Sequence, residues 1–199
     1  MRLAQLTLIS LCIVLTASVV MAKDKKPEKQ MDPQAMMEVY AKLATPGEPH
    51  KQFASLAGSW ATKTKSWMEP DKPPTESTGS AEMKMVLDGR FLQQEFSGEM
   101  MGRPYSGMGI SAYDNLLKRY VSTWVDTMGT GVFVMEGTGS ADGKTITLKG
   151  QHAEVGGGHM THRAVWKIVD ANTQTFDMYG SHHHGKEMKM MEITYTRKP

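Results

Sequence analysis

From Trp60 onward the chain is a succession of short runs of alternating apolar and polar residues, broken by tight-turn residues and carrying no helical period between them. The segments 59–68, 79–87, 90–98, 104–113, 118–127, 131–137, 144–151, 160–169, 174–181 and 187–197 read as strands. Asp88-Gly89 and Asp142-Gly143 suit hairpins that need positive φ, Asp114-Asn115 and Asp170-Ala171-Asn172 suit type I turns, and Gly156-Gly157-Gly158 is a loop. About ten strands in succession without crossover helices exclude a parallel α/β sheet. No repeat of fixed period points to a propeller or solenoid. The expected fold class is all-β: an up-and-down antiparallel barrel of about ten strands preceded by a short N-terminal helix.

Alternation assigns the faces. On the first strand Trp60, Thr62, Thr64 and Ser66 share one side, while Lys63 and Lys65 form a solvated outer wall. On the last strand Met191, Ile193, Tyr195 and Arg197 are taken as inward, against Glu192, Thr194 and Thr196. The fifth strand sets Tyr120, Ser122, Trp124 and Asp126 against Val121, Thr123 and Val125, and neither set is plainly the outer one.

Ahead of the strands the chain divides into three parts. Arg2, the apolar stretch Leu6 to Val20 and the small residue Ala22 before a charged run form an export signal over residues 1–22. The apolar stretch is shorter than the ~20 residues a spanning helix needs, so cleavage after Ala22 and a periplasmic or secreted product with no stable membrane anchor are expected. Residues 23–31 are a charged, flexible leader, and 32–57 a helical segment. Within the latter, Asp32-Pro33 caps a helix carrying Met36, Met37, Tyr40 and Leu43, Thr45-Pro46-Gly47 stops it, and His50 to Leu56 add further turns. This segment is expected on the outside of the barrel or over one mouth, with the barrel domain occupying 58–199.

Charge and cysteine usage narrow the chemistry. Lys plus Arg is 23 against 21 for Asp plus Glu, a balance that offers no nucleic-acid footprint. Cys12, the one cysteine, falls inside the signal. The exported chain therefore has no disulfide, thiolate nucleophile or cysteine zinc site, and a packed core must stabilise it. A monomer or weak homodimer is expected.

Three constellations are candidates for function. Tyr120, Trp124, Asp126, His162, Trp166 and Tyr195 can all be placed inward, where they would wall a site for a small apolar or amphipathic ligand with aromatic faces and hydrogen-bonding tips. The same residues would equally suit a filled core in which Asp126 merely caps a turn. The alternative is copper or another metal held by His159, His162, His182, His183 and His184 together with some of the 18 methionines, since imidazole and thioether suit copper. His159 and His162 would face opposite ways on a regular strand and converge only if His159 belongs to the loop. Hydrolysis by Asp114, Asp126, Glu136 or Glu187 with a histidine has no spacing that forces such a pair together, so no catalytic residue is assigned.

Gly58-Ser59-Trp60 at the first strand, with Arg197 near the end of the last, resembles the lipocalin and calycin arrangement. The resemblance implies that Trp60 closes one barrel end and Arg197 packs across it. LAGSW (56–60), LDGRFL (87–92), GISAYDN (109–115), YVSTWVDTM (120–128), EGTGS (136–140) and GKEMKMMEITYTRK (185–198) are similar to the bacterial domain of unknown function 1579 family. That resemblance runs over about residues 54–198 and implies a calycin-like barrel with no established activity. The His182-His183-His184 run is not part of the family pattern, so a histidine-based role would be particular to this chain.

Overall fold

The computed structural model describes residues 31–182 and 185–199. The signal, all of the leader except Met31, and His183 and His184 lie outside the described residues. Two helices, α1 (Pro33–Leu43) and α2 (Glu48–Ser55), precede ten strands: β1 (Gly58–Ser66), β2 (Thr75–Val86), β3 (Phe91–Met100), β4 (Arg103–Asp114), β5 (Arg119–Asp126), β6 (Phe133–Gly139), β7 (Thr145–Ala153), β8 (His159–Asp170), β9 (Thr173–His182) and β10 (Met188–Arg197). Each strand pairs antiparallel with the next, and β1 pairs with β10, closing the barrel. The expected up-and-down all-β barrel is thus the observed fold, and the turn residues fall where turn chemistry put them. Gly89 and Gly143 have φ of 80° and 69°, values that favour glycine.

Side-chain parity follows the pleat. Trp60, Thr62 and Thr64 are buried inside, while Lys63 and Lys65 are exposed. On β5 the unresolved choice falls to Tyr120, Ser122, Trp124 and Asp126 as the inner set, with Val125 exposed outside. A bulge between Lys189 and Met191 on β10 shifts the register without reversing the inward placement of Ile193 and Tyr195.

One end of the barrel is plugged. Helix α2 buries His50 and Phe53, and Phe53 meets Tyr120 edge-on at 5.7 Å and lies 6.1 Å from Trp166. The Tyr120 hydroxyl donates to Gln52 Oε1 at 2.7 Å, while Gln52 Nε2 donates to the Gly143 carbonyl, tying α2 to the β6–β7 turn. The helical segment is therefore two helices with different roles. Helix α1 is capped by Asp32, which accepts from the Gln34 and Ala35 amides, but it buries no residue. Its C-terminal carbonyls hold it to the barrel end: Asn115 Nδ2 donates to Leu43 and Thr45, and Arg90 Nε to Ala44.

At the same end Trp60 is fully buried and its indole N–H donates to the Leu56 carbonyl at 2.9 Å. Arg197, its register partner on β10, stacks over the indole with its guanidinium carbon 4.2 Å from the ring centroid. The guanidinium also donates to the carbonyls of Ser55, Ala57 and Ala171 at 2.7, 2.7 and 2.8 Å. Gly58, with φ of 132°, makes room for this, since a Cβ there would sit 2.6 Å from Arg197 Nη1.

Two stability measurements follow. Trp60→Ala should cost about 3–5 kcal/mol in urea unfolding, the range for deleting a buried aromatic; a loss under about 1 kcal/mol would contradict a closing role. His50 accepts from the Gly47 amide through Nδ1 at 3.0 Å, and burial, followed by the nearby Arg90 charge, lowers its pKa. Folded His50 therefore binds its proton less tightly than unfolded His50, so its contribution is complete above about pH 6.5 and is lost as pH falls through the lowered folded value. The urea midpoint should drop between about pH 7.5 and about pH 5, and His50→Gln should show a smaller drop over the same interval.

Candidate functional site

Above the plug the barrel is hollow. A cavity of about 470 Å³ opens at the end opposite α2, within the range of about 300–1,000 Å³ typical of small-molecule sites. Its floor is set by Trp166, Phe176, Ile193 and Tyr195, and its upper wall by Met100, Tyr105, Trp124, Asp126, Phe133, His152 and His162.

The void has a local cause on β4 and β5. Tyr105, Gly107, Gly109 and Ser111 point inward on β4, and Gly107 and Gly109 pair with Asp126 and Trp124 on β5. The Trp124 indole lies flat across these two glycines; a Cβ on Gly109 would sit 2.7 Å from the ring, and one on Gly107 would overlap it. The largest side chain of the upper wall is thus pressed against the barrel instead of filling it. Ser111 and Ser122, hydrogen-bonded to each other at 3.2 Å, are small inward residues of the adjoining wall.

Polar groups form two chains in this cavity. Trp124 Nε1 donates to the Tyr105 hydroxyl at 2.9 Å, and that hydroxyl donates to Asp126 Oδ2 at 3.1 Å. Asp126 Oδ1 accepts from the Met128 amide at 2.8 Å, so the carboxylate caps its turn and serves the cavity wall at once. Burial, with the Asp126 charge adding to it, pushes the Tyr105 phenol well above its ordinary value, which keeps it a donor at any physiological pH. Deeper down, Gln94 Nε2 donates to the Tyr195 hydroxyl at 3.3 Å. Burial raises the Tyr195 pKa to about 12.

Of the six residues that the sequence places around a ligand, Trp124, Asp126, His162, Trp166 and Tyr195 line this cavity. Tyr120 is inward but lies lower, in the plug, with its ring against Phe53 and Tyr113 and its hydroxyl bonded to Gln52. Trp166 spends its indole N–H on Gln174, at 2.6 Å, leaving its ring to the cavity.

The histidines are arranged differently from the proposed metal set. His159 is the first residue of β8, exposed and on the opposite face from buried His162, so the two do not converge. His152, from β7, is the partner instead: its Nδ1 lies 2.8 Å from His162 Nε2, the rings are stacked, and Phe133 is edge-on to both. His182 ends β9 in register with Met160. Among the described residues, no three His, Cys, Asp or Glu side chains are grouped to hold a metal ion. The acid-base candidates are likewise dispersed. Asp114 accepts from the Leu116 and Leu117 amides, while Glu136 and Glu187 pair with Arg119 and Arg163. Tyr105, Phe133 and His152 were absent from the sequence-derived ligand set, although the parity of β4 with its inward glycines marks Tyr105.

The model of the family described as Protein of unknown function (DUF1579) matches residues 45–197, and the chain belongs to that family. No curated protein matches the sequence. Among solved structures, Rv2717c from M. tuberculosis is similar with a TM-score of 0.56 and 14% identity, covering 78% of this chain and 100% of that one. EF1p2_mFAP2b, solved bound to DFHBI, is 10% identical with a TM-score of 0.43, covering 76% and 100%. At such identities the likeness to Rv2717c is one of fold.

Proposed function

We propose that the chain is an exported, monomeric or weakly dimeric binding barrel that holds a small apolar or amphipathic molecule in its lumen. The observation that carries this reading is the cavity of about 470 Å³, open at one end and lined by aromatic and aliphatic side chains with a few placed polar tips. Trp124, Trp166 and Tyr195 wall the site, and Asp126 and His162 orient the ligand near its mouth. Export to the periplasm or the medium rests on the signal pattern of residues 1–22.

Solvent extraction of the natively purified protein followed by mass spectrometry should release one class of small molecule. Met178→Trp, which sets a bulky ring in the lumen, should lower its yield severalfold, with overpacking costing about 1–3 kcal/mol of stability. Equal yields from both proteins, with the variant folded, would place the molecule outside the barrel.

Copper is a second reading, favoured by one observation. Met160 and Met190 direct their sulfurs into the space that a side chain on Gly180 would occupy, with Met160 Sδ 3.3 Å from that position, and Gly180 is the register partner of His162. Two thioethers thus lie at the register level of His162, and thioether with imidazole is a donor set suited to Cu(I). Under this reading Cu(I) titration should show affinity that weakens as pH is lowered, because imidazole must be neutral to bind. His162→Ala should weaken binding at least about tenfold, since losing even an outer-shell partner costs about 10–100-fold, and an unchanged affinity would discard the reading.

A further inference from the structure

The charges around the cavity are one-sided. Among the described residues no Lys or Arg lines it, and the charged side chain that β5 directs inward is Asp126. Glu99 reaches only the rim, from an exposed position on β3. Among the described residues, the ion pairs of the molecule lie elsewhere and none includes Asp126.

Asp126 is nevertheless held firmly. Its two oxygens accept from the Tyr105 hydroxyl and the Met128 amide, and Trp124 holds Tyr105 in turn. Both contacts are neutral donors, so they fix the carboxylate without cancelling its charge, and each oxygen keeps lone-pair capacity for another donor. Around it stand the rings of Trp124, Tyr105 and Phe96, the last two 5.8 Å apart and edge-to-face. Aromatic faces attract cations.

An anionic head would find the reverse at this level of the cavity. The indole N–H of Trp124 and the hydroxyl of Tyr105 are spent within the wall, and one of the two imidazole N–H groups of His152 and His162 is spent on the contact between the rings. A carboxylate or sulfate there would face Asp126 with no arginine or lysine among the described lining residues to offset the repulsion.

Resting on the reading that the lumen holds an amphipathic molecule, we infer that its ligand class is an apolar chain or ring system bearing a protonated amine, with the ammonium on the Asp126 carboxylate and the apolar body below it against Trp166 and Ile193. The negative sign of Asp126 sets the headgroup, and the cavity beneath takes the remainder.

A matched series separates this inference from the reading beneath it. Decylamine, decan-1-ol and decanoate share one tail and differ only in head charge. Calorimetric titration at about pH 8, where an alkylamine is charged, should rank them amine, alcohol, decanoate. The amine should bind at least about tenfold tighter than the alcohol, the scale of one charge-assisted hydrogen bond. In Asp126→Asn, the amine and alcohol affinities should converge to within about threefold. Decanoate binding as tightly as decylamine, or three equal affinities, would overturn the charge inference while leaving the lumen as a binding site. A preference for the amine that survives in Asp126→Asn would overturn the assignment of Asp126. If none of the three binds, the lumen reading itself fails. The ranking in the unmodified protein needs no variant, so poor folding of Asp126→Asn would leave that test intact.

Discussion

The rest of the molecule depends on the contact between Arg197 and Trp60. A sheet of ten strands has two edges, and each exposed edge is a row of unpaired backbone groups open to any other strand. Closing β1 on β10 removes both edges. The guanidinium fixes the register of that seam by stacking on the indole across the pair, and its three carbonyl contacts tie in the end of α2, the entry to β1 and the β8–β9 turn. The plug and the seam are therefore one assembly.

Because that end is solid, the other can be open. Phe53, Tyr120 and Trp166 carry the packing that a fully filled barrel would spread along its length, and the helix supplies aromatic area from outside the sheet. Inward glycine and serine on β4 and β5 would weaken a barrel that relied on its lumen for a core. Here they let Trp124 lie against the wall, so the upper half keeps its shape through the Trp124–Tyr105–Asp126 chain while remaining hollow.

The sequence carried the strand order, the turns and the parity of most strands, because hydrophobic alternation and turn chemistry are local signals. Trp60 and Arg197 were legible for a different reason: both flank the run of strands, and an up-and-down barrel must bring its ends together. The volume of the lumen was not legible. Parity states which face a side chain takes, but Trp124 leaves a void only because two glycines stand opposite it on β4, a consequence of cross-strand register. The same limit explains the histidines. His159 or His152 could be the companion of His162, depending on where the loop after β7 ends, and the observed pairing of Ala153 with His159 carries His159 outward. Tyr120 is inward as alternation allows, but its depth is set by α2, which alternation does not see.

The seam between β1 and β10 also orders the assembly of the fold in time. Trp60 and Arg197 are brought together from opposite ends of the folded region, so on a chain made from its N-terminus the first strand must wait for nearly everything that follows before it meets its second neighbour. Until then β1 has only β2 beside it, the indole has no cation over it, and the carbonyls at the end of α2 lack their donor. Long-range closure of this kind is slow to form and late to reward the chain. Without Arg197 in place the β1–β10 seam lacks the contact that fixes its register, and β1 keeps one edge unpaired until the last strand arrives.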